Sequence, residues 1–297
     1  MSAPVDAMTT SFRTLTESQW REAKRAHERI IDEWAAPRLA RRQRNEKHPV
    51  DDFLWQYYPT RPAQLRQWSP GMNTVLENGG ELLTQRGFVA TSDGVAVSAA
   101  ELPHQVESAR RIGTLLAATR SRPARFGCFG LHEWAMVYGL DQAEVRHRAW
   151  PLRLPSADVT AVVGELGLRC THFDAFRFYT DDARPLNPLQ LTRADQVTYE
   201  QPGCLHANMD LFKWAWQLFP LASSDLVRAT RMLAVNIRTV DMQAAPYDLR
   251  ALGLEPIKVE TSEGRAEFAV RQQEFAARAA LLRDELWTLA TTIGEQD

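Results

Sequence analysis

Cysteine is scarce, with three in 297 residues. An odd, small number fits a reducing compartment better than a disulfide scaffold. No apolar run reaches the roughly 18 residues of a membrane span, so no transmembrane helix is expected. The N-terminal MSAPVDAMTTSFRT lacks the basic and apolar regions of a secretory signal, so a cytoplasmic location is expected. Charge of one sign is also lacking. Lys and Arg number 35 against 37 Asp and Glu, which excludes a globally basic nucleic-acid binder but leaves room for a local basic groove. Local signatures are missing too. There is no phosphate loop, no dinucleotide-binding glycine pattern after a strand, no C-x-x-C pair and no G-x-S-x-G. His132-Glu133 opens like H-E-x-x-H, but Met136 stands where the second histidine must be.

What is present suits a globular protein with a sizeable core. Hydrophobic residues make up 44% and charged residues 24%, the ordinary balance of soluble proteins. Tryptophan is the one excess, at nine; core filling is its commoner use and stacking on planar ligands the other. Residues 1–15 read as a tail ahead of one globular domain over 16–297. Thr16 to Gln19 forms a capping box, and helical spacing through Trp20, Ala23, His27 and Trp34 predicts a helix over 17–36 that Pro37 should kink or end. The basic stretch 38–47 reads as a solvated helix end, or else an anionic-ligand patch. Residues 48–62 hold Trp55, Tyr57, Tyr58 and Arg61 between prolines. They suit the wall of a ligand site or a core helix equally well.

Turn signals at Asn78-Gly79-Gly80 and Ser92-Asp93-Gly94 predict a hairpin between Phe88–Ala90 and Val95–Val97. A helix is expected over 105–120. Residues 168–179 read as a strand or a buried helix. Ser223 or Ser224 should cap a helix reaching Val240, and 255–260 reads as a short strand. Thr261 or Ser262 should cap a long closing helix. The sum is a mainly α protein, α+β at the margin, with a small β component.

The most informative stretch is Gln201 to Phe219. Pro202-Gly203 turns the chain into an apolar helix that Pro220 stops. His206, Asp210, Lys213 and Gln217 form one polar stripe on it, which could be solvated or could face a cleft. Asp210 and Lys213 could equally be a simple ion pair one turn apart. Each cysteine has a histidine close behind it: Cys128 and His132, Cys170 and His172, Cys204 and His206. At seven histidines in 297 residues, such a coincidence arises by chance on the order of 1% of the time. The same blocks carry Glu133, Asp174 and Asp210. Histidine with thiolate or carboxylate is the ligand set of zinc, and histidine with aspartate that of non-haem iron. Any metal set would come from His132, His172, His206 and Asp174. The alternative is buried cysteine packing as a small hydrophobe beside hydrogen-bonded histidine.

Without metal, no cofactor is needed. Asp210, Glu133, Asp174 and His206 are then the candidates for acid–base catalysis, including hydrolysis of a glycosidic or N-glycosidic bond. Arg177, Asn187, Asn236, Arg238, Asp241 and Tyr247 are polar positions that could join the same cavity. Where such positions are buried they must be paired.

These blocks also carry a resemblance. His48-Pro-Val-x-Asp-Phe-Leu, Tyr57-Tyr58, Arg61-Pro62-Ala63, Gly127 through Tyr138, His172-Phe-Asp-Ala-Phe-Arg177, Glu200 through Asp210 and Ala245-Pro-Tyr-Asp-Leu249 together resemble a family of bacterial proteins of similar length labelled 3-methyladenine DNA glycosylase. The resemblance implies hydrolysis of the N-glycosidic bond of an alkylated base, with damaged DNA as partner. It supplies no catalytic residues. The helix–hairpin–helix of the best-known alkyl-purine glycosylases has no counterpart before Asp210, where Pro202-Gly203 stands. Under this reading Tyr57, Tyr58, Arg61, Trp134, His172, Arg177 and Asn208 are the candidate substrate-binding residues. Two other classes fit the same residues. One is a metal- or carboxylate-dependent enzyme, hydrolase or non-haem iron oxygenase in type, that acts on a small polar molecule. The other is a non-enzymatic protein whose aromatic cavity holds a planar ligand.

Overall fold

The computed structural model describes residues 13–58 and 60–295. The tail expected over 1–15 lies mostly outside them, and its end, Arg13–Leu15, is strand β1. Helix α1 spans Glu17–Gln43 and opens on the expected capping box, Thr16 accepting from the Gln19 backbone while the Gln19 side chain accepts from that of Thr16. Pro37 neither ends nor replaces it: α1 continues for another six residues. Pro37 and Glu33 are both exposed, so the carbonyl that loses its donor can take water instead.

Helices α2 (Phe53–Tyr57) and α3 (Pro62–Leu65) lead to β2 (Thr74–Leu76), β3 (Phe88–Thr91) and β4 (Gly94–Val97). The predicted hairpin is β3–β4, with Phe88 opposite Val97. The sheet order is β1-β2-β4-β3, parallel only between β1 and β2. Then follow α4 (Pro103–Arg120), α5 (Leu131–Ala135), α6 (Ser156–Leu166), α7 (Phe173–Phe176), α8 (Gln196–Tyr199), α9 (Leu205–Gln217), α10 (Ser224–Ala244) and α11 (Ser262–Gly294). The protein is mainly α-helical with a small open sheet. No helix among the described residues is long and apolar enough to cross a membrane.

Of the two readings open for 168–179 the buried helix holds over Phe173–Phe176, and the short strand expected over 255–260 is not a strand. Residues 168–172 are extended, but the side chain of Asn187, not a neighbouring strand, pairs with both the N–H and the C=O of Cys170; the chain then coils into α7. Residues 255–260 lie against α10, with the Ile257 N–H donating to the Gln243 carbonyl, and bury Ile257 and Val259 without joining a sheet.

Helix α9 is the axis of the helical part. It packs against α10, α11 and α4, while α4 and α11 make the most extensive helix–helix contact among the described residues. Ten of its thirteen residues are buried, so hydrophobic burial, not helix propensity, holds it. The tryptophans fill the core. Trp20, Trp55, Trp68, Trp134 and Trp214 are buried, and Trp34, Trp150, Trp216 and Trp287 are half-buried against the same apolar cluster. The segment 48–58 is core as well, burying Val50, Leu54, Trp55 and Tyr58.

Candidate functional site

Three turn-to-helix junctions build the site. Cys128 lies in the turn before α5, and His132 is the second residue of that helix; Phe129 and Gly130, both at positive φ, make the turn. Cys170 lies in the extended segment before α7, and His172 caps that helix. Cys204 caps α9 and His206 follows one residue into it. The three Cys–His pairs recognised in the sequence therefore occur at equivalent places, and all six residues line one cavity of about 490 Å³. The remaining walls are Leu189, Leu205, Pro188, Gly127, Thr171, Gln201, Arg125 and Arg169. Among the described residues, no carboxylate and no Phe, Tyr or Trp lines it.

The imidazoles lie ring against ring: His132 meets His206 edge-on at 4.5 Å between centroids, and His172 lies 5.4 Å from His206 on its other side. Asp241, from α10, stands beside them. One ligand atom each from His132, His206 and Asp241 falls within a 4.8 Å sphere of mutual distance, and all three residues are buried. His132 Nε2 and Asp241 Oδ1 form a buried ion pair at 2.8 Å, and neither atom has a further partner among the described residues. The outer sides of the group are occupied. Arg238 donates to Asp241 Oδ2 at 3.1 Å and to Glu133 Oε1 at 2.5 Å, and its guanidinium lies over the Phe53 ring. Cys128 Sγ is 3.7 Å from His132 Nδ1.

A second buried network backs the cavity behind His172. His172 Nε2 is 3.3 Å from Glu200 Oε1 and 3.4 Å from Asp210 Oδ2. Asp210 also accepts from the Tyr58 hydroxyl at 2.8 Å and pairs with Lys213 at 3.4 Å. Lys213 reaches on to Asp174 at 3.3 Å, where Arg177 and Arg193 also pair.

These neighbours set the protonation states. Burial disfavours the Asp210 carboxylate, but His172 and Lys213 outweigh it and hold its carboxyl below the usual range. Asp241 is likewise held down against burial by His132 and Arg238. Burial opposes a charged His172, and the Glu200 and Asp210 carboxylates reverse that, raising its pKa. His132 is raised well above its ordinary value against burial, chiefly by Asp241. His206 has burial and the charge of His132 both against it and is pushed well down. Burial raises Glu200 and raises the Cys204 thiol strongly.

The expected site residues thus divide. His132, His172 and His206 share the cavity. Asp210 and Tyr58 lie one layer behind it, coupled through His172. Glu133 is buried on Arg238, beside the His132–Asp241 group, but does not line the cavity. Asp174 is held by three cations and does not belong to the ligand cluster found among the described residues, which is His132, His206 and Asp241. Tyr57 stacks on Phe53 and meets Tyr58 edge-on, and its buried hydroxyl has no hydrogen-bond partner among the described residues. Trp134 is a core residue whose Nε1 donates to the Ala244 carbonyl. Asn208 is fully buried as a clamp, accepting from Arg283 of α11 and donating to the Pro202 carbonyl. Arg61 is exposed at the start of α3, and Arg177 is half in solvent over Phe178.

Asn187, Arg238 and Asp241 were legible only as polar positions needing partners. Glu200, Gln201, Arg125 and Arg169 carried no separate signal, because an exposed arginine beside a cavity reads like any other surface arginine. No protein-family model matches this chain, and neither does any curated protein or solved structure.

Proposed function

We propose that this chain is a metal-dependent enzyme acting on a small molecule held in the cavity, with His132, His206 and Asp241 as the metal ligands. The observation that carries the reading is the convergence of three buried ligand atoms, those of His132 and His206 at the cavity wall and that of Asp241 behind it, with His132 Nε2 and Asp241 Oδ1 facing each other and no other partner among the described residues. Donor atoms bound to one ion at about 2.0–2.2 Å sit about 3 Å apart when adjacent, and the 2.8 Å approach of His132 to Asp241 has that spacing. Two imidazoles and one carboxylate with open positions suit zinc or non-haem iron. The outer contacts supply what such ligands need, since Arg238 fixes the Asp241 carboxylate and Cys128 faces the far nitrogen of His132. A bound ion would polarise a substrate oxygen or activate water beside it. The chain's own part is to orient the three ligands, hold His172 beside them on Glu200 and Asp210, and enclose the substrate.

Metal analysis tests this. Protein purified without chelator, then offered Zn²⁺ or Fe²⁺ and desalted, should retain about one equivalent, and Asp241→Asn or His206→Ala should retain less than about a tenth. Equal retention by wild type and variants, or none by wild type, refutes the ligand assignment.

One observation favours a second reading, the glycosylase. Arg125 and Arg169 are exposed beside the cavity, where they could meet phosphates flanking an extruded base. Release of base from methylated DNA at low salt tests it, and absence of release above background removes it.

A further inference from the structure

The substrate class can be read from the open side of the cavity. Its lining holds two arginines, three histidines and no carboxylate among the described residues. Arg125 and Arg169 are the exposed charged members of that lining, and neither makes an ion pair with a described residue. Arg125 is held through its backbone. The Arg125 backbone is clamped onto the Gln201–Cys204 turn, its N–H donating to Gln201 Oε1 at 2.8 Å and its carbonyl accepting from Gln201 Nε2 at 3.3 Å. The same Gln201 oxygen takes the Gly203 N–H at 2.7 Å. A side chain at Gly203 would put its Cβ 2.5 Å from the Arg125 carbonyl oxygen, so only glycine permits this approach. The Arg169 guanidinium lies beside Gly127, where a Cβ would come within 3.1 Å of it. Gly203 thus lets the Arg125 backbone close onto the turn before α9, and the charged ends of both arginines have no ion-pair partner among the described residues. No carboxylate lines the walls among the described residues, those of Glu200, Asp210 and Asp241 lying behind the histidines and paired with them, and guanidinium groups match carboxylate and phosphate geometry.

We infer that the substrate carries an anionic group, carboxylate or phosphate, which Arg125 and Arg169 hold at the open end while its reacting part reaches His132, His206 and Asp241. The inference rests on the metal-enzyme reading for the reacting end and on the arginines alone for the anchoring end. The apolar walls Leu189 and Leu205 between them suit a hydrocarbon body.

Calorimetric titration of the metal-loaded full chain tests this with three probes of one size: phenylacetate, phenylphosphonate and the neutral phenylacetamide. At least one anion should bind about tenfold more tightly than the amide, and comparing the two tells a carboxylate from a phosphate site. Arg125→Ala and Arg169→Ala should each weaken that anion about tenfold, leaving metal content and melting temperature unchanged. The inference is overturned if the amide binds as tightly as both anions, if neither anion binds, or if the doubly substituted chain binds them like wild type. Metal content of the same samples separates the two readings. Arginine-dependent anion binding by a chain that retains no metal upholds the anchor and refutes the metal reading, whereas one equivalent of metal with arginine-independent binding does the reverse.

Discussion

At the scale of single residues, the unusual feature is how much charge lies out of water. Asp210, Asp241, Glu133, His172, Arg238 and Arg283 are all buried, each against at least one polar partner. Buried pairs add little net stability, but breaking one strands its partner. Asp210 makes this measurable through pH. Tyr58 and Lys213 contact it, as does His172, which Glu200 also faces, and Asp174 lies beyond Lys213. Its folded pKa is depressed. The native state therefore binds its proton less readily than the unfolded chain, whose aspartates titrate near about 3.9. The stability it contributes is complete above that value and is lost as pH falls through it toward the folded pKa. Urea midpoints taken from pH 7 down to pH 3 should fall on the acid side in wild type. The fall should be shallower in Asp210→Asn, which should also be less stable at pH 7. Identical acid limbs would contradict the assignment.

The residue scale also explains which expectations transferred. The Cys–His spacing was legible because all three pairs sit at the same kind of junction, a turn entering a helix. The partner carboxylate was not, because Asp174 is the sequence neighbour of His172 whereas Asp241 reaches His132 from a different helix. Proximity in sequence and proximity across a helix–helix interface are unrelated.

At the scale of elements, α9 decides the layout. Its polar stripe is not solvated: His206 and Asp210 are buried, and Lys213 and Gln217 are half-buried. The ion pair one turn apart between Asp210 and Lys213 does form, inside a network and not on the surface. The two tryptophans of the helix differ in a way their spacing conceals. Trp214 is 2% exposed, with Arg111 and Lys213 against its ring, whereas Trp216 is half-buried and stacked on Phe219. Trp214→Ala should cost about 3–5 kcal/mol and Trp216→Ala clearly less, as read from denaturant midpoints of the two variants. Equal losses would mean that the helix sits in a different rotation about its axis.

Capping boxes, the hairpin and the ends of α9, α10 and α11 were legible because they depend on a few adjacent residues. The choice between strand and buried helix at 168–179, and the loss of the strand expected at 255–260, were not. Whether an apolar stretch becomes a strand depends on a paired neighbour, and here Asn187 and α10 took the backbone groups such a neighbour would have used.

At the scale of the whole molecule, metal and fold should be coupled. The three ligands come from α5, α9 and α10, so no single element holds the set and the unfolded chain does not preserve it. An ion that binds only the folded state at a hundredfold its Kd adds about 2.7 kcal/mol. At this chain length that is a rise of about 4 °C in melting temperature. Chelator should lower the melting temperature of the loaded protein by that amount and leave Asp241→Asn unaffected, as differential scanning calorimetry would show. A wild type indifferent to both metal and chelator would count against the site.

Sequence alone determined the mainly helical class, the placement of the major helices and the three Cys–His junctions. These follow from periodicity, capping and turn chemistry within a few residues of one another. Only the tertiary structure decided that the three junctions share a cavity and that Asp241, not Asp174, stands with His132 and His206. It also decided that Asp210 stands behind the wall and that two exposed arginines of the lining have no ion-pair partner among the described residues. Each depends on how helices far apart in the chain pack side by side. That packing is set by the summed fit of many apolar side chains, and no local spacing records it.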